Sequence, residues 1–209
     1  FKFLSMKNVF ILFFKILNVY KKKLFKILIY EIYFLIKYFK TGNLIKFRND
    51  NMMTETIPCP YYFIYKISQF INKEKIASVI DLGSGYGRIT NFLSDTTKAT
   101  ILGYELDKEV FDISKKNKKN NINIENKNIL NVNYKNLNVE CFILNDPLRR
   151  KTDLEHLIKK IQISRMNSAK KYYLITINIE GEKAYIFNNY KLLKLVFAGQ
   201  LRSVKFFSS

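Results

Sequence analysis

Apolar and basic positions alternate in short bursts along residues 1–40: Lys interrupts every apolar run, and the longest uncharged stretch, residues 8–14, has seven residues. A bilayer span needs about 18 to 20, so no transmembrane helix is expected there. On a helical projection Lys7, Lys15, Lys22, Lys26, Lys37 and Lys40, with Asn8 and Asn18, gather on one side and leave Phe, Leu, Ile and Tyr on the other. That amphipathic pattern predicts one or two helices packed on the main domain, or an interfacial helix lying on anionic lipid. A signal peptide fits worse, because Lys15 breaks the apolar region and no small-residue cleavage site follows. Residues 41–58 contain Gly42, Pro58 and a polar cluster without period, and read as a linker. The chain is therefore divided into an N-terminal helical segment with linker, 1–58, and a main domain, 59–209.

From residue 61 the pattern becomes an alternation of strands and helices. Ile64, Ile67 and Ile71 mark one face of a helix over 61–71. Short apolar runs predict strands at 77–81, 100–105, 121–125, 141–145 and 172–179, with helices at 88–94 and 107–119 between them. Leu154, Leu157, Ile158 and Ile161 give the next helix its inward face, and Thr152 with Glu155 has the spacing of a capping box at its start. Residues 192–197 and 201–207, joined through Ala198-Gly199-Gln200, read as a terminal hairpin. The expected fold is α/β: a Rossmann-like three-layer sandwich, mostly parallel, with a C-terminal antiparallel hairpin and a preceding helical segment.

Composition refines this reading. With 209 residues, 48% of them apolar, the chain can bury the core of one α/β domain plus an appendage. The net charge of +19 points toward polyanions. Yet only six of the 36 basic residues are Arg, the better residue for bidentate phosphate contacts, and 22 Asn suggest AT-rich coding drift. Cys59 and Cys141 lie far apart with no Cys or His at ligand spacing, so neither a metal site nor a disulfide framework is indicated, and a reducing cytoplasm fits. The lone His156 lies on an amphipathic helix and is expected to face solvent, as is the run Arg149-Arg150-Lys151. The sequence opens on Phe1, which reads as a fragment or as translation starting at Met6.

The most informative stretch is VIDLGSGYGRI, residues 79–89, where an apolar strand ends in Asp81 and Gly83, Gly85 and Gly87 follow at every second position before a helix. Glycine suits a chain that turns with φ > 0 and lets a ligand touch the backbone, while the helix start offers free N–H groups. A dinucleotide-binding loop has its third glycine where this chain has Arg88, which argues against a nicotinamide oxidoreductase. Glu105, 24 residues after Asp81, ends the second strand, where a carboxylate can accept protons from both hydroxyls of a ribose; Asp107 reads better as a helix cap.

The pattern D-x-G-x-G-x-G resembles motif I of the class I S-adenosylmethionine-dependent methyltransferases, whose loop wraps the amino-acid end of the cofactor. The resemblance covers about residues 77–148, and DLGSGYGRI with GYELD looks similar to lysine methyltransferases that carry a hydrophobic N-terminal segment, although Tyr86 replaces the acid often found in their loop. It implies S-adenosyl-L-methionine as cofactor, held by Asp81, Gly83, Ser84, Gly85, Gly87, Glu105 and Leu106. It further implies Asn128 at the adenine amino group, where Asp is usual, Ile129 against the ring, and Asn145 beside the methyl group. TIPCPYYF resembles the entry of small bacterial methyltransferases and would bring Tyr61 near the cofactor mouth. The exit Asn145-Asp146-Pro147-Leu148 is partly similar to the N-P-P-Y of amino methyltransferases, which implies catalytic roles for Asn145 and Asp146.

The expected activity is methyl transfer to a nitrogen of a protein or small-molecule acceptor, in the cytoplasm or at a membrane surface through residues 1–40. An RNA methyltransferase, motivated by the charge, and a catalytically degenerate cofactor-binding or membrane-interaction module are the alternatives.

Overall fold

The computed structural model describes residues 24–38, 46, 56–118, 121–166, 171–197 and 203–209. The elements run α1 (Leu24–Lys37), α2 (Tyr61–Lys73), β1 (Ser78–Leu82), α3 (Arg88–Thr96), β2 (Thr100–Glu105), α4 (Lys108–Asn117), β3 (Ile122–Asn126), β4 (Cys141–Asn145), α5 (Lys151–Arg165), β5 (Tyr173–Ile177), β6 (Lys191–Phe197) and β7 (Ser203–Ser208). Short 3-10 segments occupy Tyr134–Asn136 and Gly181–Phe187. Most of the linker, the first 23 residues and the turn proposed at 198–200 lie outside the described residues.

The strands form one seven-stranded sheet in the order β3-β2-β1-β4-β5-β7-β6. β1 to β5 are parallel, and β7 inserts antiparallel between β5 and β6. Strand period two splits each strand between two apolar layers. Val79 joins Ile64, Ile67, Ile71 and Phe92 of α2 and α3 on one face. Ile80 and Leu82 join Leu154, Leu157, Ile158 and Ile161 of α5 on the other. Each such side chain contributes roughly 1.5–3 kcal/mol when fully buried. The expected three-layer architecture with its C-terminal antiparallel hairpin is therefore present.

Three local expectations change. α5 begins at Lys151 with Arg150 as its N-cap and no side-chain cap, so Thr152 lies inside the helix rather than capping it; Asp153 instead receives both Arg150 Nε at 2.8 Å and Nη2 at 3.0 Å. The last strands reach Ser208 and start at Lys191. α1 also departs from a simple amphipathic helix. It packs on α2 through Ile27, Phe34 and the following Tyr38, but it turns its one acid, Glu31, inward and leaves Ile29, Ile32, Tyr33 and Ile36 outside. No described helix is long and apolar enough to cross a membrane. His156 and the Arg149-Arg150-Lys151 run are exposed, as expected.

Candidate functional site

The chain leaves β1 toward β2 on one side and returns to β4 on the other. Loops at the carboxyl ends of these strands therefore diverge, which opens the crevice where parallel sheets receive ligands. The glycine loop starts there. Gly83, Gly85 and Gly87 all have left-handed φ, +87°, +55° and +84°. The Gly83 and Ser84 N–H groups both donate to the Tyr104 carbonyl at 2.9 Å, which folds the loop back over β2. A Cβ on Gly83 would lie 2.9 Å from Pro147 Cβ, so glycine is also what lets this loop touch the β4 exit.

Two carboxylates face this loop. Glu105, at the end of β2, accepts the Gly85 N–H at 2.9 Å with one oxygen and the Asp107 N–H at 2.9 Å with the other. Asp107 caps α4 by accepting the Val110 N–H. Asp81 is fully buried, and neither of its oxygens has a hydrogen-bond partner among the described residues. Burial, reinforced by the negative Glu105, pushes its pKa up to about 7. The Ser84 hydroxyl is likewise buried without a partner among the described residues. A buried carboxylate without donors costs free energy unless a proton or a cation reaches it.

At the β4 exit, Asp146 takes a left-handed φ of +37° and accepts Lys183 Nζ at 2.7 Å, and the same ammonium reaches the Leu148 carbonyl at 2.7 Å. Asn145 accepts the Asn178 amide at 3.1 Å and donates to the Ile57 carbonyl at 3.4 Å. Asn178, itself at φ +58°, follows β5, whose register sets Ile177 beside Asn145. Sequence reasoning missed Asn178 and Lys183. The strand order β4-β5 was the signal that would have brought them in, since the carboxyl ends of adjacent parallel strands share one edge.

Residues 56–60 cross this same edge. A Cβ on Gly85 would meet Thr56 Cγ2 at 3.0 Å, and the Cys59 carbonyl accepts Arg88 Nη1 at 2.8 Å. Arg88 Nη2 pairs with Glu31 of α1 at 3.0 Å, its guanidinium lies 3.8 Å above the Tyr61 ring, and the second Glu31 oxygen accepts the Tyr61 N–H. Tyr61, expected near the mouth of the pocket, has no exposed surface in this cluster. Leu106 is half-buried beside Glu105, and its carbonyl accepts the Asn126 amide. Asn128 is half-buried at the β3 exit with its side-chain oxygen taken by the Leu130 N–H at 2.9 Å, and Ile129 packs into the core beneath it. Asp81, Gly83, Ser84, Gly85, Gly87, Glu105, Asn145 and Asp146 thus share one edge of the sheet. Among the described residues no group of His, Cys, Asp and Glu could hold a metal ion, and Cys59 and Cys141 are buried and form no disulfide.

No protein-family model and no curated protein sequence matches the chain. Solved structures do. An RNA methyltransferase from Salinibacter ruber in complex with S-adenosyl-L-homocysteine superimposes with a TM-score of 0.57 at 15% identity, covering 73% of this chain and 93% of that one. The N-methyltransferase NodS from Bradyrhizobium japonicum gives 0.56 at 11% identity, covering 71% and 93%. Magnesium protoporphyrin IX methyltransferase from Synechocystis with bound S-adenosylmethionine gives 0.55 at 10% identity, covering 70% and 77%. The chain has the Rossmann-like fold of the class I S-adenosylmethionine-dependent methyltransferases.

Proposed function

We propose that this chain binds S-adenosyl-L-methionine across the carboxyl ends of β1 and β2 and transfers its methyl group to a nitrogen of a protein or small-molecule acceptor. The observation that carries this reading is Asp81: a buried carboxylate without donors among the described residues, beside a loop of three left-handed glycines, suits a ligand that brings its own positive charge. The residues present fit such a ligand. Asp81 and the Ser84 hydroxyl offer unused acceptors to an α-ammonium. Glu105, a carboxylate at the end of β2 beside the glycine loop, is the acceptor this reading assigns to the ribose hydroxyls. When bound, the cofactor supplies an electrophilic methyl group on a sulfonium.

Orientation of the acceptor supplies much of the acceleration of such a transfer. In this reading Asn145 and Asp146 accept hydrogen bonds from an acceptor nitrogen and so aim its lone pair. Asn178 and Lys183 fix those two side chains. An amine acceptor sheds its proton before attack, and Asp146 is the carboxylate at the β4 exit that this scheme assigns to receive it.

Calorimetric titration with S-adenosylmethionine, S-adenosylhomocysteine and NAD tests the first step: binding of the sulfur ligands but not NAD is expected, and NAD binding alone overturns it. Tritiated methyl transfer to protein, RNA and small-molecule fractions of a lysate tests the second. Label confined to RNA replaces the N-methyl acceptor with the polyanion that the net charge of +19 favours. Cofactor binding without transfer to any fraction leaves a binding module.

A further inference from the structure

α1 is an unusual surface helix. Its apolar side chains do not all turn inward: Ile29, Ile32, Tyr33 and Ile36, at i, i+3, i+4 and i+7, form a continuous outward stripe, 49%, 52%, 60% and 74% exposed. Its one acid goes the other way. Glu31 is buried and ion-paired to Arg88, so among the described residues the outward face of α1 carries no negative charge, and it ends in the exposed Lys37. Glu31 is also the only acid in residues 1–40, which hold nine Lys.

We infer that the outward face of α1 is a docking surface for anionic lipid, on which the helix lies in the plane of the headgroups with Ile29, Ile32, Tyr33 and Ile36 entering the acyl boundary. An exposed apolar stripe of this kind marks an interaction site. The local charge selects the partner. A helix that shows several aliphatic side chains and Lys37 but no acid among its described residues, in a segment whose sequence has nine Lys and one acid, complements an apolar layer bounded by anions, which is what a phosphatidylglycerol or phosphatidylserine membrane presents. RNA complements the charge but not the isoleucines, because single strands are gripped by stacking aromatics and phosphates by cations. A second copy of this chain complements the isoleucines but brings the same excess of Lys against itself.

The test uses the full chain in sedimentation with vesicles of pure phosphatidylcholine and of phosphatidylcholine mixed with phosphatidylglycerol. The unmodified protein is expected to bind only the mixed vesicles, and to release as salt is raised. Ile32→Ser with Ile36→Ser is expected to lower that binding about tenfold or more, with the melting temperature unchanged because both side chains are largely in solvent already. Three results overturn the inference: no binding to mixed vesicles, equal binding by the double variant, or concentration-dependent dimerisation in light scattering that the double variant abolishes while vesicle binding persists. Loss of RNA filter binding in the double variant without loss of vesicle binding overturns it as well.

Discussion

Asp81 gives the most direct quantitative handle on the site. Its pKa rises from 3.8 to about 7, chiefly because it is buried. About three units at 1.36 kcal/mol each is roughly 4 kcal/mol of preference for the protonated form. The folded chain therefore holds this proton more tightly than the unfolded chain does. The corresponding stability is complete below about pH 4, falls as pH rises, and is gone above about pH 7. A ligand ammonium placed against Asp81 reverses the preference, because the ionised form then has a partner. Binding must expel the proton wherever Asp81 starts out protonated. Affinity for S-adenosylhomocysteine should accordingly climb up to about tenfold per pH unit below pH 7 and level off above it. Titration calorimetry between about pH 5.5 and 7.5, in buffers of different ionisation enthalpy, reads both the affinity and the release of about one proton per ligand at the acid end. Asp81→Asn should flatten the pH dependence, weaken binding at neutral pH, and raise the melting temperature of the ligand-free protein above pH 7. A wild-type affinity that is flat across this range, with no buffer dependence, refutes the pairing of Asp81 with a cationic group.

Further outcomes follow from the same geometry. Glu31→Met or Arg88→Met leaves one charge buried without its partner, which costs about 3–5 kcal/mol and, at roughly 2–4 °C per kcal/mol in a chain of this size, should lower the melting temperature by roughly 6–20 °C. The double variant should recover much of that loss, and equal loss in all three would show that the pair is not coupled. Gly83→Ala, at φ +87° and 2.9 Å from Pro147 Cβ, should cost about 2–4 kcal/mol in chemical denaturation; a change under about 0.5 kcal/mol contradicts the close approach. With an acceptor in hand, Asn178→Ala and Lys183→Met should lower turnover while the S-adenosylhomocysteine dissociation constant stays put, whereas a matching loss of cofactor affinity would move both residues to the cofactor side.

The parallel half of the sheet was readable because its signals are local. β2 and β4 have the expected ends, β1 and β3 are displaced by one residue, and α3 starts at Arg88 as anticipated. Buried strands are written as short apolar runs, and three alternate glycines with left-handed φ can be anticipated from residue type alone. Most of what escaped depends on partners distant in sequence, although the start of α5 turned on a local contact. Thr152 and Glu155 have the spacing of a capping box, but Arg150 and Asp153 form a local fork and α5 starts one residue before Thr152. Nothing in the terminal strands announces that β7 rather than β6 lies beside β5. Periodicity assigned Lys to one side of the N-terminal segment and apolar residues to the other, yet α1 has apolar residues on both sides, because Arg88, 57 residues away, draws Glu31 inward. The contacts of Asn178 and Lys183 likewise span 33 and 37 residues.

The ion pair between Arg88 and Glu31 also bears on any attempt to trim this protein. A fragment starting at Cys59 keeps β1–β7 and the whole glycine loop, but it strips the counter-charge from a guanidinium stacked on Tyr61 in an apolar layer. A version that retains this electrical balance has to include Glu31 and the α1 helix that carries it, Leu24–Lys37, whereas a shorter one calls for exchanging Arg88 for an uncharged side chain of similar length.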